Sequence, residues 1–139
     1  MSLRALFGRW VKFNAVGALG IVVQLGALAV LAGPLGMQYL VATGLAVETA
    51  VLHNFFWHER WTWMDRTRRA PQLRLWVGRL LRFHLSNGLV SILGNLVLMR
   101  LLVGQFGLHY MVANVLSIAA CSLANFLLSD LFVFRAAGE

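Results

Sequence analysis

The sequence predicts an all-α integral membrane protein, with four transmembrane helices arranged as two parallel two-helix repeats. Three observations carry this. Hydrophobic residues make up 60% of the chain and charged residues 12%, with a mean hydropathy of +0.74. A soluble domain carries about 25% charged residues, so this chain lacks the charge to cover a water-facing surface. Four apolar stretches follow one another: Phe13–Gly33, Tyr39–Trp57, Phe83–Val103 and His109–Ser129. Each is long enough to cross about 30 Å of hydrocarbon at about 1.5 Å per residue. Each must be helical, because backbone groups find no water partner there. Finally, Lys12–Trp63 aligns without a gap on Phe83–Phe134 at an offset of 71 residues, with 13 identities in 52 positions.

The identities include residues that apolar composition alone does not supply: Gly17 on Gly88, Gly36 on Gly107, Tyr39 on Tyr110, and Asn54-Phe55 on Asn125-Phe126. An internal repeat in an apolar chain suggests a working site between the halves. The chain, residues 1–139, reads as a single membrane domain. Repeat one covers about 12–63, a basic loop about 58–82, and repeat two about 83–134.

The first helix follows a basic segment containing Arg4, Arg9 and Lys12. This resembles a signal peptide, but the apolar run is too long for one. Gly33-Pro34-Leu35-Gly36 reads as a turn rather than a cleavage site, so the helix is expected to be retained. On the second helix, Ala42, Ala46, Ala50 and Asn54 recur every four residues. Their counterparts on the fourth are Ala113, Ser117, Cys121 and Asn125. Small residues at this spacing let helix backbones approach closely. The stripes predict that helices two and four form a central contact pair, or contacts of a dimer. Trp57, Trp61, Trp63, Phe132 and Phe134 end the two repeats as an interfacial aromatic belt.

The middle connection carries Arg60, Arg66, Arg68, Arg69, Arg74, Arg79 and Arg82, whereas Gly33–Gln38 and Gly104–His109 carry no Lys, Arg, Asp or Glu. The positive-inside rule then places both termini and the middle connection in the cytoplasm. Within that connection, Met64–Arg79 reads either as an amphipathic helix on the inner leaflet or as a solvated linker. Arg100 stands apart, near the outer end of helix three, where it either snorkels outward or faces a polar interior.

The net charge of +7 follows from these topology signals and not from nucleic-acid binding. The single cysteine, Cys121, excludes a disulfide within the chain. No cofactor or metal is expected: no phosphate loop or nucleophile–base pair stands out, and His53 and His58, five apart, have poor ligand geometry on a helix. The protein is expected not to be an enzyme.

Candidate substrate-binding residues are the polar groups stranded in apolar helices. Glu48 lies mid-helix, where a carboxyl must be protonated, wet or paired. Thr49 and His53 lie close by in sequence. Asn54 and Asn125 sit near the cytoplasmic ends of helices two and four, where a carboxamide either hydrogen-bonds between helices or meets a polar ligand. Gln24 and Asn95 occupy equivalent places in helices one and three. Arg60 joins this set because its repeat counterpart is Leu131. Asymmetry between the copies weights the expected site toward the first half.

Several motifs together resemble the GtrA-like family of small four-helix membrane proteins. They are the Asn-Phe pairs closing helices two and four, the endings Trp61-Thr62-Trp63 and Phe132-Val133-Phe134, and Phe13 followed by Gly17 at the start of helix one. The resemblance covers nearly the whole chain. It implies movement of a polyprenyl-phosphate-linked sugar across a bacterial inner membrane, for cell-surface polysaccharide synthesis or glycosylation, or assistance in that step. Family members often carry a basic residue where this chain has Glu59 and Asp130. The expected partners are the lipid-linked sugar and the surrounding lipids, and, because four helices enclose little volume, a second copy in a homodimer or higher oligomer; a glycosyltransferase is a partner in the adaptor alternative. Two alternatives remain open: a membrane adaptor that recruits a glycosyltransferase, and a small proton-coupled exporter using Glu48.

Overall fold

Glycine at positive φ and polar groups paired inside apolar surroundings govern how this chain turns and packs. The computed structural model describes residues 3–68 and 72–135, and those residues form helices and short connections without a strand. The chain divides into two compact units, Met1–Thr67 and Arg68–Glu139.

In the first unit, α1 (Leu3–Ala32) packs along α2 (Tyr39–Trp57). A π-helical turn, His58–Thr62, and the short α3 (Met64–Thr67) close it. The second unit contains α4 (Leu73–Leu89), a π-helical turn at Val90–Gly94, α5 (Asn95–Met99) and another at Arg100–Gln105. These run on as one 33-residue helical stretch, Leu73–Gln105. The α6 helix (Tyr110–Leu128) packs back on it and ends in a π-helical turn at Ser129–Val133.

Among the described residues, three helical stretches are long and apolar enough to cross a membrane: Leu3–Ala32, Leu73–Gln105 and Val115–Val133. The protein is therefore a helical membrane protein. The 19-residue α2, which carries Glu48, His53 and Asn54, is not among the three. Two helices begin earlier than the apolar pattern does. The α1 helix starts at Leu3, and its 30 residues measure about 45 Å, longer than a hydrocarbon core of roughly 30 Å. The segment Met64–Arg79 is not one continuous amphipathic helix, and the division between the two units falls within it. It supplies α3 and the first turns of α4, while Arg69, Ala70 and Pro71 lie outside the described residues.

Local geometry recurs at the 71-residue offset. Gly36 and Gly107 adopt φ of 59° and 64°, the left-handed region that ends helices without the strain a Cβ would add. The Met37 N–H donates to the Leu31 carbonyl and the Leu108 N–H to the Leu102 carbonyl, both at 3.0 Å. At the other ends, Trp63 N–H donates to His58 C=O at 2.8 Å and Phe134 N–H to Ser129 C=O at 2.9 Å. Each such bond spans five residues, the π-helical spacing.

These wide turns correct the expected aromatic belt. Trp57, Trp61 and Phe132 are exposed, but Trp63 and Phe134 are buried. The extra residue in each turn carries the following aromatic inward. Trp63 meets His58 edge-on at 5.3 Å and Phe13 at 6.1 Å, while His58 stacks on Phe13 at 4.8 Å. Phe134 meets Phe83 at 6.3 Å. Thr67 Oγ1 donates to the Glu59 carbonyl at 2.7 Å, and Arg9 pairs with Asp65 at 2.5 Å, tying α3 to the first unit.

The small-residue stripes are also placed differently from expectation. Ala42, Ala46 and Ala50 are buried within the first unit, whose helix pair is α1 and α2. Ala113, Ser117, Cys121 and Asn125 are buried within the second, where α6 meets the stretch Val90–Gln105. Each stripe is used inside its own unit because a short connection brings its nearest long neighbour alongside first. At the tightest approach, a Cβ on Gly20 would overlap the Asn54 carboxamide.

The substitution Gly20→Ala should therefore destabilise the protein by about 1–3 kcal/mol through overpacking. Gly17→Ala, whose added methyl meets nothing within 4 Å, should be neutral or stabilising. Thermal unfolding in detergent, followed by tryptophan fluorescence, compares the two; equal melting temperatures would refute the close approach.

Candidate functional site

The groove that best fits an amphipathic ligand lies in the first unit, near the ends of its two long helices. It holds about 300 Å³ and is lined by Val16 and Leu19 of α1 and by Trp57, Arg60 and Trp61. Val16 and Leu19 lie three apart and Trp57 and Trp61 four apart, so each pair shares a helix face. Because the chain turns through the π-helical segment at His58–Thr62, Arg60 and Trp61 join the wall begun by Trp57.

Two cations flank this wall. The Arg60 guanidinium lies 4.4 Å from the centre of the Phe56 ring, and Lys12 Nζ lies 5.6 Å from the centre of the Trp61 ring. Both distances permit cation–π attraction, which holds each charge beside apolar surface without neutralising it. Arg60 and Trp61 remain exposed. The result is a hydrocarbon-compatible cleft with positive charge at its rim. A phosphate joined to an apolar chain has the complementary character.

The candidate residues from the sequence fall at separate places. His53 and Asn54 are together: His53 Nδ1 lies 3.2 Å from Asn54 Oδ1, and the Asn54 carboxamide faces Gly20 across the α1–α2 contact. Gln24, half-buried, stands one turn beyond Gly20 on α1. Glu48 is exposed on α2, about 200° around the helix from Ala46, on the side away from the packed stripe. Thr49, next to it, bonds its own helix, with Oγ1 donating to the Leu45 carbonyl at 2.7 Å. Arg60 is the candidate that lines the groove.

Asn125, in the second unit, is buried and donates from Nδ2 to Ser91 Oγ at 3.0 Å. Asn95 opens α5, and its side chain lies outside the described residues. One turn from Asn125, Cys121 Sγ donates to the Val90 carbonyl at 3.7 Å. A Cβ on Gly94 would come within 2.8 Å of that sulfur. Sequence reading places Ser117 only in a packing stripe and does not single out Ser91, Ser129 or the two interhelical glycines, Gly20 and Gly94. Their signal was present in the alignment: Ser91 stands opposite Gly20, and Ser117 opposite Ala46.

The fold and these polar contacts define a small helical membrane protein in which Asn54, Asn125 and Ser91 lie at interhelical contacts. Residues 12–134 match the GtrA/DPMS transmembrane domain, and the chain belongs to that family. It is also 37% identical over 113 residues to a Pyrococcus furiosus protein named dolichol-phosphate mannosyltransferase. The aligned region is 79% of this chain and 29% of that relative, so the chain spans under a third of the relative's length.

The Ser91–Asn125 bond should show as energetic coupling. A double-mutant cycle with Ser91→Ala and Asn125→Ala should give a coupling of about 0.5–1.5 kcal/mol in thermal or chemical unfolding. Additive losses would show that the two side chains do not act together.

Proposed function

We propose that this protein translocates a polyprenyl-phosphate-linked sugar across a bacterial inner membrane, for cell-surface polysaccharide synthesis or glycosylation. The observation that carries the reading is the first unit's groove. Its walls, Val16, Leu19, Trp57 and Trp61, suit an isoprenoid chain, and Arg60 stands among them to meet a phosphate. Family membership supports the same substrate class, since the family includes the DPMS transmembrane domain, and a similar protein is named for a transferase acting on a polyprenyl phosphate.

In this reading four helices cross the membrane, α2 included, as two parallel two-helix repeats. Both termini are cytoplasmic, which places Lys12 and Arg60 on the side where lipid-linked sugars are made. In the first unit Glu48, His53, Asn54 and Gln24 provide polar groups for the headgroup. The protein does no covalent chemistry. Because four helices enclose little volume, a homodimer or larger assembly is the working form.

Arg60→Ala should lower translocation of a fluorescent polyprenyl-phosphate sugar in reconstituted vesicles by about tenfold, on the scale of one charge-assisted hydrogen bond. Arg60→Lys should recover part of that rate. Arg100→Ala, a control that removes an exposed cation elsewhere, should leave it unchanged. Full activity in Arg60→Ala would remove the groove from the pathway. Glu48→Ala should also slow translocation while expression and oligomeric state persist; full transport in that variant would exclude Glu48 from the site.

A second reading is favoured by the similarity to part of a protein named as a mannosyltransferase. Here the protein is a membrane adaptor for a glycosyltransferase. This reading requires that the purified protein move no lipid and that a transferase co-purify through the segment His58–Arg82.

A further inference from the structure

We infer that the buried polar face of α6 recognises the sugar itself, through hydrogen bonds to hydroxyl groups; this rests on the translocase reading above and extends it to a second site. The face is formed by Ser117, Cys121, Asn125 and Ser129, spaced every four residues over about 18 Å. All four are buried, with Ser117 and Ser129 at 0% exposure and Asn125 at 8%. Opposite stands the π-helical turn Val90–Gly94, which supplies Ser91 Oγ to Asn125 and the Val90 carbonyl to Cys121. Such turns widen a helix locally and occur often at functional sites.

The hydrogen-bonding capacity of this face exceeds what the fold uses. Among the described residues, Ser117 Oγ, Ser129 Oγ and Asn125 Oδ1 are buried and make no hydrogen bond. Unpaired groups of this kind are costly, and most costly inside a membrane. Helix packing does not require them. At the equivalent positions the first unit has Gly20 for Ser91, Ala46 for Ser117 and Ala50 for Cys121; Asn54 Oδ1 is met there by His53, and His58, which stands for Ser129, has Nδ1 3.1 Å from Thr62 Oγ1. The same two-helix contact is thus built once with almost no spare polarity and once with three spare polar atoms.

The chemistry of the face selects the ligand class. Ser117, Ser129, Ser91 and Asn125 are neutral and offer both donors and acceptors. An ion or phosphate would find no countercharge among them, whereas a sugar presents hydroxyls that donate and accept in turn. A guanidinium lies near one end of the face. Arg82 donates to the Phe132 carbonyl at 3.2 Å and lies 5.7 Å from the centre of the Phe132 ring. The phosphate of a lipid-linked sugar is matched by that rim, and the sugar by the face beyond it.

Ser117→Ala/Ser129→Ala tests this, because neither hydroxyl bonds within the protein. The test compares binding of a hexosyl-phosphoryl polyprenol with that of the same polyprenyl phosphate lacking sugar, using the purified full-length protein. The double variant should melt at the same or a higher temperature than the wild type, since its unpaired hydroxyls are gone. It should bind the sugar-bearing lipid about tenfold more weakly and the sugar-free lipid equally well. A Ser117→Thr/Ser129→Thr variant should retain most of the discrimination.

Unchanged affinity for the sugar-bearing lipid, or an equal loss for both lipids, would overturn the sugar site while leaving the translocase reading intact. A wild-type protein that binds both lipids equally would do the same. A wild-type protein that binds neither lipid would overturn the translocase reading, and the sugar site with it.

Discussion

In the hydrocarbon of a membrane, each polar group must find its partner within the protein. That constraint explains why the described residues are helical and why the connections Gly33–Gln38 and Gly104–His109 are short. It also explains why side-chain amides appear where two helices touch. Asn125 donates to Ser91 and Asn54 lies against Gly20, so both carboxamides are held at contacts inside their own units. Each unit is anchored by this combination: a small residue on one helix and an amide on the other.

The same constraint shapes the helix ends. Four π-helical turns interrupt the α-helical geometry of the described residues, at His58–Thr62, Val90–Gly94, Arg100–Gln105 and Ser129–Val133. The first and last bring Trp63 and Phe134 inside, converting expected interfacial aromatics into core residues. In the first unit that turn does a second thing. It places Arg60 and Trp61 beside Trp57, Val16 and Leu19, so the groove with its cationic edge is a product of the turn. Leu131 stands at the Arg60 position in the second unit, so the guanidinium is particular to the first.

Duplication gives one chain two chances to specialise. The two copies share the left-handed glycines, the closing hydrogen bonds and the asparagines. They differ in what surrounds those asparagines. The first copy pairs a dry alanine stripe with an amphipathic groove; the second lines its stripe with hydroxyls. The two units therefore carry different chemistry on similar frames: an apolar groove edged by Arg60 in the first, and a buried face bearing Ser117, Asn125 and Ser129 in the second.

The membrane class, the apolar helices and the positions of the glycine turns were legible in the sequence, because they depend on composition, length and local backbone preference. Family membership was legible too, through Asn54-Phe55, Asn125-Phe126 and the aromatic endings. The extension of α1 back through Arg9 and Arg4, and of α4 back to Leu73, was not, because basic residues at a helix end look like loop to a hydropathy pattern. Nor was the partner of each small-residue stripe, since spacing marks a face without saying which helix covers it. Tertiary structure alone decided that Trp63 and Phe134 are buried, that Arg60 lines a groove, and that Ser117 and Ser129 are buried without a hydrogen-bond partner. Those outcomes depend on π-helical turns and on interhelical distance, and both arise from packing between segments far apart in the chain.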